Sequence, residues 1–352
     1  MEDKDPLVAT LAEITRKYSL SKSMSSSLEQ PLRNGRIHCS YGLGEYDEES
    51  ESKSGTDTGR LSSRASSCMN VYDGKKWVDS GCNLQNRKAG IQREGITPDE
   101  GELFLGADLS SAEAYLIAQE TGEPFMLELM ARGEKLYTWL QKHCESAFPE
   151  RLAKLKADIG DKKLYTAFKS STHAIHYGAE PGILCSQHDI PMDVANYAHS
   201  LYHRKFPGVG LRMVKIRAEL HRTKTLKSVF GRHKIFMGTP GKDMYNNAYA
   251  WKSQSAIGEL TLYAMSKIYY RGKTAQQYPS LNLPWMFPAL NTHDGIMTRF
   301  KKGNETAVRK SVYECFYKEI TDNEITLRIP IETWLGRNFN ESYEIENMGY
   351  NG

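Results

Sequence analysis

The stretch from Glu102 to Ala118 constrains the fold most, because its hydrophobic pattern changes period partway along. Residues 103–107 form an apolar run of strand length, and apolar residues then recur at helical spacing from residue 112 onward. Asp108 therefore stands at the end of a predicted strand, and Glu113 stands in the first turn of a predicted helix. A carboxylate held at a strand end offers the hard oxygen ligands that a divalent metal prefers.

Both acids also have simpler structural explanations. Asp108 could be a turn residue that closes the strand. Ser110 and Glu113 have the spacing of a capping box, in which the two side chains satisfy the first backbone N–H groups of a helix. The stretch by itself leaves both interpretations open.

The composition is that of a globular protein with a weak overall charge. The chain has 352 residues, 39% of them apolar and 25% charged, enough for two or three domains or one large domain. Because the net charge is only +3, any nucleic-acid surface must be a local patch. The six cysteines include no Cys-x-x-Cys pair, which argues against a zinc site or a disulfide framework and favours a reducing compartment. No apolar run reaches membrane-spanning length and the N-terminus is no signal peptide, so we expect a cytoplasmic protein without membrane contact.

The order of the predicted elements indicates an α+β protein, since strands come first and last with helices between them. Prolines divide the helical part into five or six predicted helices. The predicted elements are a helical region over 7–33, a turn at 34–35, a strand-like run over 36–41, a mobile loop over 45–67, an irregular insertion over 71–80, the helices between 110 and 227, a basic hairpin over 230–236, a long helix over 245–271, a strand pair over 284–299, a helix over 305–320 and a final strand over 325–334.

One predicted helix, over residues 161–178, has a polar face suited to a nucleotide. Tyr165, Lys169, His173 and Tyr177 are spaced four apart and share that face. Lysine is a point charge for phosphate, and an aromatic ring is a platform on which a base can stack. The alternative is an amphipathic helix with a solvated polar face.

A second acidic position follows a predicted strand at His293-Asp294, between apolar flanks. If these residues lie at a hairpin turn, Asp294 and Asp108 can meet on adjacent strands. Two such carboxylates can hold two divalent ions that activate an attacking oxygen and stabilise a leaving one. The alternative is an ordinary hairpin turn, the commonest use of the dipeptide Asp294-Gly295.

Two further patterns suit contacts with nucleic acid. Residues 56–64 place Arg60 and Arg64 among hydroxyls and glycines, a composition suited to phosphate and sugar contacts. Gln254 lies on the long predicted helix, and an amide beside an active site can bind the acceptors of a minor groove. A mobile loop and a core-bridging amide are the respective alternatives.

These features, in this order, resemble the polymerase core of family A DNA polymerases, the group of bacterial DNA polymerase I and many phage replicases. The resemblance covers roughly residues 30–340. The matching segments are Asp108–Glu113 for the first catalytic motif, Lys169 with Tyr177-Gly178 for the second, His293-Asp294 for the third, Thr58–Ser63 and Asn83–Asn86 upstream, and Gln254 between the second and third motifs.

The resemblance implies a right-hand fold, with an antiparallel-sheet palm, mostly helical fingers and a thumb that is largely missing. It places the end of the thumb at residues 1–44 and the fingers at 119–245. The palm would then comprise residues 45–118 and 246–352.

The resemblance also implies a two-metal phosphoryl transfer. Asp108, Asp294 and the Leu109 carbonyl would hold two Mg²⁺ ions, for which Mn²⁺ could substitute. Lys169 would neutralise phosphate charge, and Glu113 would discriminate against the ribose 2′-hydroxyl. The remaining implied contacts are Tyr165, His173 and Tyr177 with the nucleotide, and Arg60, Arg64, Asn86, Gln254 and His293 with the DNA.

Several positions depart from the family pattern. Tyr165 stands where the family usually has Arg, His173 where it has Phe or Tyr, and Gly295 where it has Glu. Tyr137 lies near the place of a phosphate-contacting His, and Ala250 replaces a common Asn. We expect these changes to affect nucleotide affinity and sugar selectivity more than metal binding.

The expected partners are primer-template DNA and dNTPs. A second chain carrying the exonuclease and the thumb is also expected, and the motif variants suggest a phage replicase acting in a bacterial or phage-infected cell. The alternatives are a weakened or inactive DNA-binding subunit of a split polymerase, or a metal-dependent nuclease built on the same two aspartates.

Overall fold

The computed structural model describes residues 32–43, 45–47, 52–54, 56, 58–87 and 90–340. This part of the chain mixes α-helices with antiparallel strands, which confirms the predicted α+β class. The chain divides into two compact units. The first unit comprises Met1–Asp108, Thr261–Phe316 and Ile331–Gly352, and the second comprises Leu109–Leu260 and Tyr317–Pro330.

The longest described strand is β7, which carries the first predicted acidic motif. In chain order they are β1 (Ser40–Gly42), β2 (Glu45–Asp47), β3 (Ser52–Ser54), β4 (Ser62–Arg64), β5 (Ser66–Tyr72), β6 (Trp77–Ser80), β7 (Glu102–Leu109), β8 (Thr225–Lys227), β9 (His233–Ile235), β10 (Met286–Asn291), β11 (Gly295–Lys301), β12 (Ile320–Asp322), β13 (Ile325–Leu327) and β14 (Ile331–Gly336).

Most helices lie in the second unit. In chain order the helices are α1 (Ile91–Glu94), α2 (Ala112–Thr121), α3 (Pro124–Ala131), α4 (Leu136–Ala147), α5 (Pro149–Ile159), α6 (Asp161–His176), α7 (Pro181–His188), α8 (Met192–Lys205), α9 (Pro207–Thr223), α10 (Lys242–Gln277) and α11 (Glu305–Phe316). No helix of the described residues is long and apolar enough to cross a membrane.

A four-stranded sheet with the order β10-β11-β7-β14 lies in the first unit. Strand β11 pairs antiparallel with both β10 and β7. The apolar run of β7 is continuous because the strand is central, and Leu105 and Ala107 are fully buried. Gly106, within that run, has no side chain, and the Trp334 ring of β14 lies against it, only 2.1 Å from where a Cβ would stand.

The second unit is built around an apolar helical core. Fully buried side chains from successive helices, such as Leu140, Phe168 and Tyr202, form this core. Gln119 of α2 is also buried, and its amide donates to the backbone carbonyls of Ile320 and Ile325 at 2.7 and 2.6 Å. This amide ties the helical core to the β12–β13 hairpin.

Several predicted elements are confirmed with shifted bounds. The turn at 34–35, the basic hairpin, the long helix, the 286–301 strand pair and the helix after residue 305 are all present. The final predicted strand over 325–334 is instead two strands, β13 and β14, separated by a segment that includes Pro330, whose ring nitrogen cannot donate to a ladder.

Other predictions were wrong. The supposed irregular insertion over 71–80 belongs to the β5–β6 hairpin. The signal was Asp73-Gly74: the Asp73 carboxylate accepts from the backbone N–H groups of Lys75 and Lys76, both at 2.9 Å, and so closes the turn. The loop predicted over 45–67 contains β2, β3 and β4, and the region between residues 112 and 223 holds eight helices, not five or six. The helical region predicted over 7–33 lies almost entirely outside the described residues.

Candidate active site

The predicted carboxylates lie beside each other at one end of the β7–β11 pair. Asp108 stands opposite Gly295 in the antiparallel register, and Asp294 directly precedes Gly295. Asp108 is followed by Leu109, the last residue of β7. The sheet therefore fixes the backbone of both acids at a strand end, as the sequence predicted.

Asp294 lies in the tight turn between β10 and β11. His293 adopts a left-handed backbone with φ 70°, and the N–H of Asp294 donates to the Thr292 carbonyl at 3.1 Å. Arg60, just before β4, forms an ion pair with the Asp294 carboxylate at 2.9 Å. The Asp294 carboxylate thus has a guanidinium as a close cationic partner.

The departure at Gly295 has a steric reason. A Cβ at this position would stand 2.7 Å from the Asp108 Oδ1, 2.8 Å from the Ala107 carbonyl oxygen and 2.9 Å from the Thr292 Oγ1. The Asp108 carboxylate lies so close to the turn that only glycine fits.

Substitution of Gly295 by alanine is therefore expected to displace the Asp108 carboxylate or the turn. Because about 1 Å of misplacement can cost on the order of 100-fold in a catalysed rate, we expect a loss of that size in single-turnover activity. Gly182→Ala is the control, since a Cβ there meets nothing within 4 Å and its backbone is not in the left-handed region. A Gly295→Ala variant with unchanged activity would show that the turn accommodates a Cβ and that this crowding is unimportant.

The donor set fits Mg²⁺. In the described part of the chain, no group of three or more His, Cys, Asp or Glu side chains is arranged to hold a metal ion. Mg²⁺ usually binds through one or two carboxylates together with substrate phosphates, so a pair of aspartates is sufficient for it.

The polar stripe of α6 is present in the second unit. Lys169 is exposed, and no carboxylate among the described residues forms an ion pair with it. His173 accepts or donates a 2.8 Å hydrogen bond to the Glu113 carboxylate through its Nδ1. By contrast, burial lowers the pKa of His176 to about 3, so that ring is neutral at physiological pH.

The capping box considered for the start of α2 would require Ser110 as the N-cap. The N-cap is Ser111, which has φ 53° and makes no side-chain cap hydrogen bond. The N–H of Ser110 donates instead to the Pro330 carbonyl at 2.8 Å. The Glu113 carboxylate is engaged with His173 on α6.

Tyr137 and Tyr165, two tyrosines at positions that differ from the family pattern, contact each other. Their hydroxyls are 2.7 Å apart and their rings pack edge to face at 5.1 Å. Tyr137 on α4 is buried, while Tyr165 on α6 is 39% exposed. The sequence could not join them, because residues 28 apart meet here only through the packing of α4 on α6.

Tyr177 ends α6, and Gly178 follows with φ 82°. A Cβ on Gly178 would stand 3.1 Å from the Tyr249 ring of α10. The Tyr-Gly pair of the second motif therefore combines a left-handed helix end with a close helix contact, and both requirements favour glycine.

The remaining predicted DNA contacts are accessible within their own units. Arg64 at the end of β4, Asn86 and His293 are exposed in the first unit, and Gln254 on α10 is half-buried in the second. Asn86 was predicted from the sequence, but its neighbour Gln85, which is buried and bonded to Asn291 beside the Asp294 turn, was not. The motif Asn83–Asn86 contained the signal, since it includes both residues.

A family model described as DNA polymerase family A matches residues 1–341 of the chain. The chain is 23% identical to DNA polymerase I of Helicobacter pylori over 348 residues, which are 96% of this chain and 34% of that protein. It is 22% identical to the thermostable DNA polymerase I of Thermus aquaticus over 344 residues, 96% of this chain and 36% of that protein. The chain therefore spans about a third of the length of the curated relatives it matches.

The fold is also similar to a solved structure. The POL domain of Pol1 from M. smegmatis, in complex with DNA primer-template and dNTP, superposes with a TM-score of 0.70 at 18% identity. The similarity covers 95% of this chain and 53% of that one. At this identity the comparison establishes a shared fold.

Proposed function

The chain belongs to DNA polymerase family A, and from this membership we propose that it is a DNA-directed DNA polymerase core, adding deoxynucleotides to a primer 3′-hydroxyl as a template directs. The observation that carries the proposal is the register that sets Asp108 opposite Gly295 and so beside Asp294. Two carboxylates fixed at a strand end are the oxygen ligands that phosphoryl transfer with Mg²⁺ requires.

We assign Asp108 and Asp294, with the carbonyl of Leu109, to binding Mg²⁺, for which Mn²⁺ could substitute. When bound, the divalent ions would lower the pKa of the primer 3′-hydroxyl and stabilise the negative charge of the leaving pyrophosphate. The protein itself positions the metal ligands. The sheet orients the two carboxylates, and the Arg60 guanidinium lies 2.9 Å from the Asp294 carboxylate. We assign Arg60, with Arg64, Asn86, Gln254 and His293, to contacts with the primer-template.

We assign the α6 stripe to the incoming nucleotide. Lys169 is exposed on that stripe and would neutralise phosphate, while Tyr165, His173 and Tyr177 would contact the rest of the nucleotide. Glu113 would exclude the ribose 2′-hydroxyl. Its hydrogen bond to His173 supports this role, because a carboxylate held at 2.8 Å by an imidazole keeps a fixed orientation.

Removing the Lys169 amine is expected to raise the KM for dNTP by roughly 10- to 100-fold, since a hydrogen bond to a charged group contributes about 1.5–3 kcal/mol. Lys169→Ala should be measured by single-nucleotide incorporation over a range of dNTP concentrations. Lys154→Ala on α5, also exposed in the second unit, is the matched control and should leave KM unchanged.

The same dNTP titration tests whether two lysines take the role of the arginine that is absent at Tyr165. Lys162 and Lys163 lie one turn before Tyr165 and could replace the arginine that the family usually has there. If they do, Lys162→Ala and Lys163→Ala will each raise the KM. A wild-type KM in Lys169→Ala would contradict the assignment of the stripe to the nucleotide.

The proposed function is tested by primer extension with purified protein, an annealed primer-template, dNTPs and Mg²⁺. Addition of the complementary nucleotide alone supports the polymerase. Binding of the primer-template without extension would support a DNA-binding subunit of a split polymerase, and strand cleavage without addition would support a nuclease. A second chain that supplies the exonuclease and thumb, a phage origin and the domain bounds given above stay predictions.

A further inference from the structure

A single buried amide, that of Gln85, joins two segments of the first unit that are far apart in sequence. Gln85 is only 8% exposed. Its Oε1 accepts from the N–H of Ser63 at 2.8 Å, and its Nε2 donates to the Leu61 carbonyl and to the Asn291 Oδ1, both at 2.9 Å. The one acceptor and the two donors of the amide are therefore all used.

The Asn291 side chain is hydrogen-bonded to the turn that carries Asp294. Asn291 is 2% exposed and ends β10. Its Oδ1 also accepts from the N–H of His293 at 3.2 Å, and its Nδ2 donates to the Gly295 carbonyl at 3.3 Å. The two residues that flank Asp294 are thus both hydrogen-bonded to one side chain, and Gln85 fixes the orientation of that side chain.

The Tyr41 hydroxyl holds the backbone of the same residue. The N–H of Asn291 donates to this hydroxyl at 2.8 Å, and the hydroxyl donates to the Asn291 carbonyl at 3.3 Å. Burial raises the pKa of Tyr41, so the phenol keeps its proton and remains a donor. Asn291, at the start of the turn, is therefore held through both its backbone and its side chain.

The same amide also fixes the segment that carries Arg60. Leu61 and Ser63, the two residues bound by Gln85, follow directly after Arg60 and flank the start of β4. The Ser63 hydroxyl in turn accepts from the N–H of Leu84 at 3.0 Å. Gln85 thus holds the Arg60 segment next to the Asp294 turn. Arg60 and Asp294 form the 2.9 Å ion pair.

We propose that Gln85 is a positioning residue that acts through Asn291 to set the Asp294 carboxylate for metal binding and nucleotide addition. The inference rests on the proposed function. A buried polar network whose hydrogen bonds are all formed has few alternative arrangements. The Asp294 carboxylate at the end of this network therefore has few alternative positions. Partners of this kind are commonly required for the affinity of a metal site even though they do not touch the metal.

Gln85→Met is the variant of choice, because it keeps the length of the side chain and removes only its hydrogen bonds. We expect kcat for single-nucleotide incorporation to fall roughly 10- to 100-fold and Mn²⁺ binding, measured by the electron paramagnetic resonance of free Mn²⁺, to weaken by a similar factor. The KM for dNTP is expected to change less than about twofold, since Lys169 and not Gln85 is assigned to the phosphates.

Ser66→Ala separates positioning from general destabilisation. Ser66 is buried in the same unit and bonded to Ser40 at 3.1 Å, and neither serine contacts the 291–295 turn in a described hydrogen bond. This control is expected to lower the thermal unfolding temperature without changing Mn²⁺ affinity. Equal losses of Mn²⁺ affinity in Ser66→Ala and Gln85→Met would overturn the proposal.

A double-mutant cycle tests whether Gln85 acts through Asn291. Gln85→Met, Asn291→Ala and the double variant should show nearly the same kcat, because removing either residue breaks the same connection. Independent, multiplying effects would overturn the proposal. Tyr41→Phe, which removes one hydroxyl, serves if the other variants do not fold, and wild-type kcat with wild-type Mn²⁺ affinity in a folded Tyr41→Phe protein would count against the network.

The measurements distinguish this inference from the proposed function. Wild-type protein that does not extend a primer would overturn the proposed function, while the Mn²⁺ comparison would still decide the role of Gln85. Extension by wild type, with normal kcat and Mn²⁺ binding in Gln85→Met, would leave the polymerase in place and overturn the inference alone.

Discussion

Replacement of Asp294 by asparagine is expected to abolish primer extension to within the limits of the assay, a loss on the order of 1,000-fold or more. Asparagine keeps the size of the side chain but removes the charge that would hold a divalent cation, and preorganised charge is usually the largest contribution to such catalysis. Asp108→Asn on the neighbouring strand should give a loss of the same order, because the two carboxylates are proposed to act together.

Asp99→Asn is the matched control for these variants. Asp99 is also an arginine-bound carboxylate of the first unit, paired with Arg36 at 2.7 Å and with Arg299 at 2.8 Å. It is not part of the β7–β11 strand end, and we expect its removal to leave incorporation within about twofold of wild type, as for an exposed ion pair.

The affinity for primer-template completes this test. Asp108→Asn and Asp294→Asn should bind the DNA at least as tightly as wild type, since each removes a negative charge near the phosphates. Extension at the wild-type rate in either variant would contradict the assignment of both aspartates to the metal.

Glu120→Gln is expected to lower the free energy of unfolding by about 3–5 kcal/mol, the range typical for breaking a buried ion pair. The Glu120 carboxylate on α2 is joined to Arg212 on α9 and Lys252 on α10. The Arg212 side chain is only 2% exposed and also donates to the Tyr249 carbonyl at 2.9 Å. Without Glu120, a buried guanidinium loses its counter-charge.

Urea denaturation followed by tryptophan fluorescence measures this loss, because Trp139 and Trp251 are buried in the second unit. Glu128→Gln is the control, since Glu128 pairs with Arg132 on the exposed surface of one helix, where such a pair contributes about 0.3–0.5 kcal/mol. Equal destabilisation by the two substitutions would contradict the importance of the buried pair.

The contribution of Glu120 to stability should also depend on pH. Burial by itself would raise the pKa of Glu120, but the charges of Arg212 and Lys252 outweigh burial and hold that pKa below its usual value. The unfolded chain therefore takes up this proton at a higher pH than the folded protein. The stability difference between wild type and Glu120→Gln should be complete at neutral pH and shrink as the pH falls below the ordinary glutamate range. A difference that grows on acidification would contradict this sign.

The elements of the β7–β11 strand pair could be predicted from the sequence because their signals are local. The apolar run of β7 ends at Asp108–Leu109, and the dipeptide Asp294-Gly295 marks the turn before β11. The β5–β6 hairpin was missed although its turn residues were visible, because the surrounding serine-rich composition resembled a loop. The helical stripe of α6 was predicted from its spacing alone.

The partners of the individual side chains could not be predicted in this way. Ser110 and Glu113 have the spacing of a capping box, yet Glu113 bonds to His173, sixty residues along the chain. Gly295 stands where the family usually has glutamate, and the structure gives this departure a steric cause in the nearby Asp108 carboxylate. Asn86 was predicted to contact DNA from the family resemblance, but its neighbour Gln85 is the residue that packing places beside the Asp294 turn.

The sequence by itself determined which elements form and which residues can do chemistry, because hydrophobic period, turn residues and residue type are properties of short segments. Only the tertiary structure decided how these residues are paired. The Gln85–Asn291 bond spans 206 residues, and the register of β7 on β11 pairs Asp108 with the distant Gly295. Neither contact can be read from a local sequence pattern. A slip of one residue in that register would turn the Asp108 side chain to the opposite face of the sheet. The pair of carboxylates at the strand end is thus a property of the packed sheet, although each aspartate was visible in the chain.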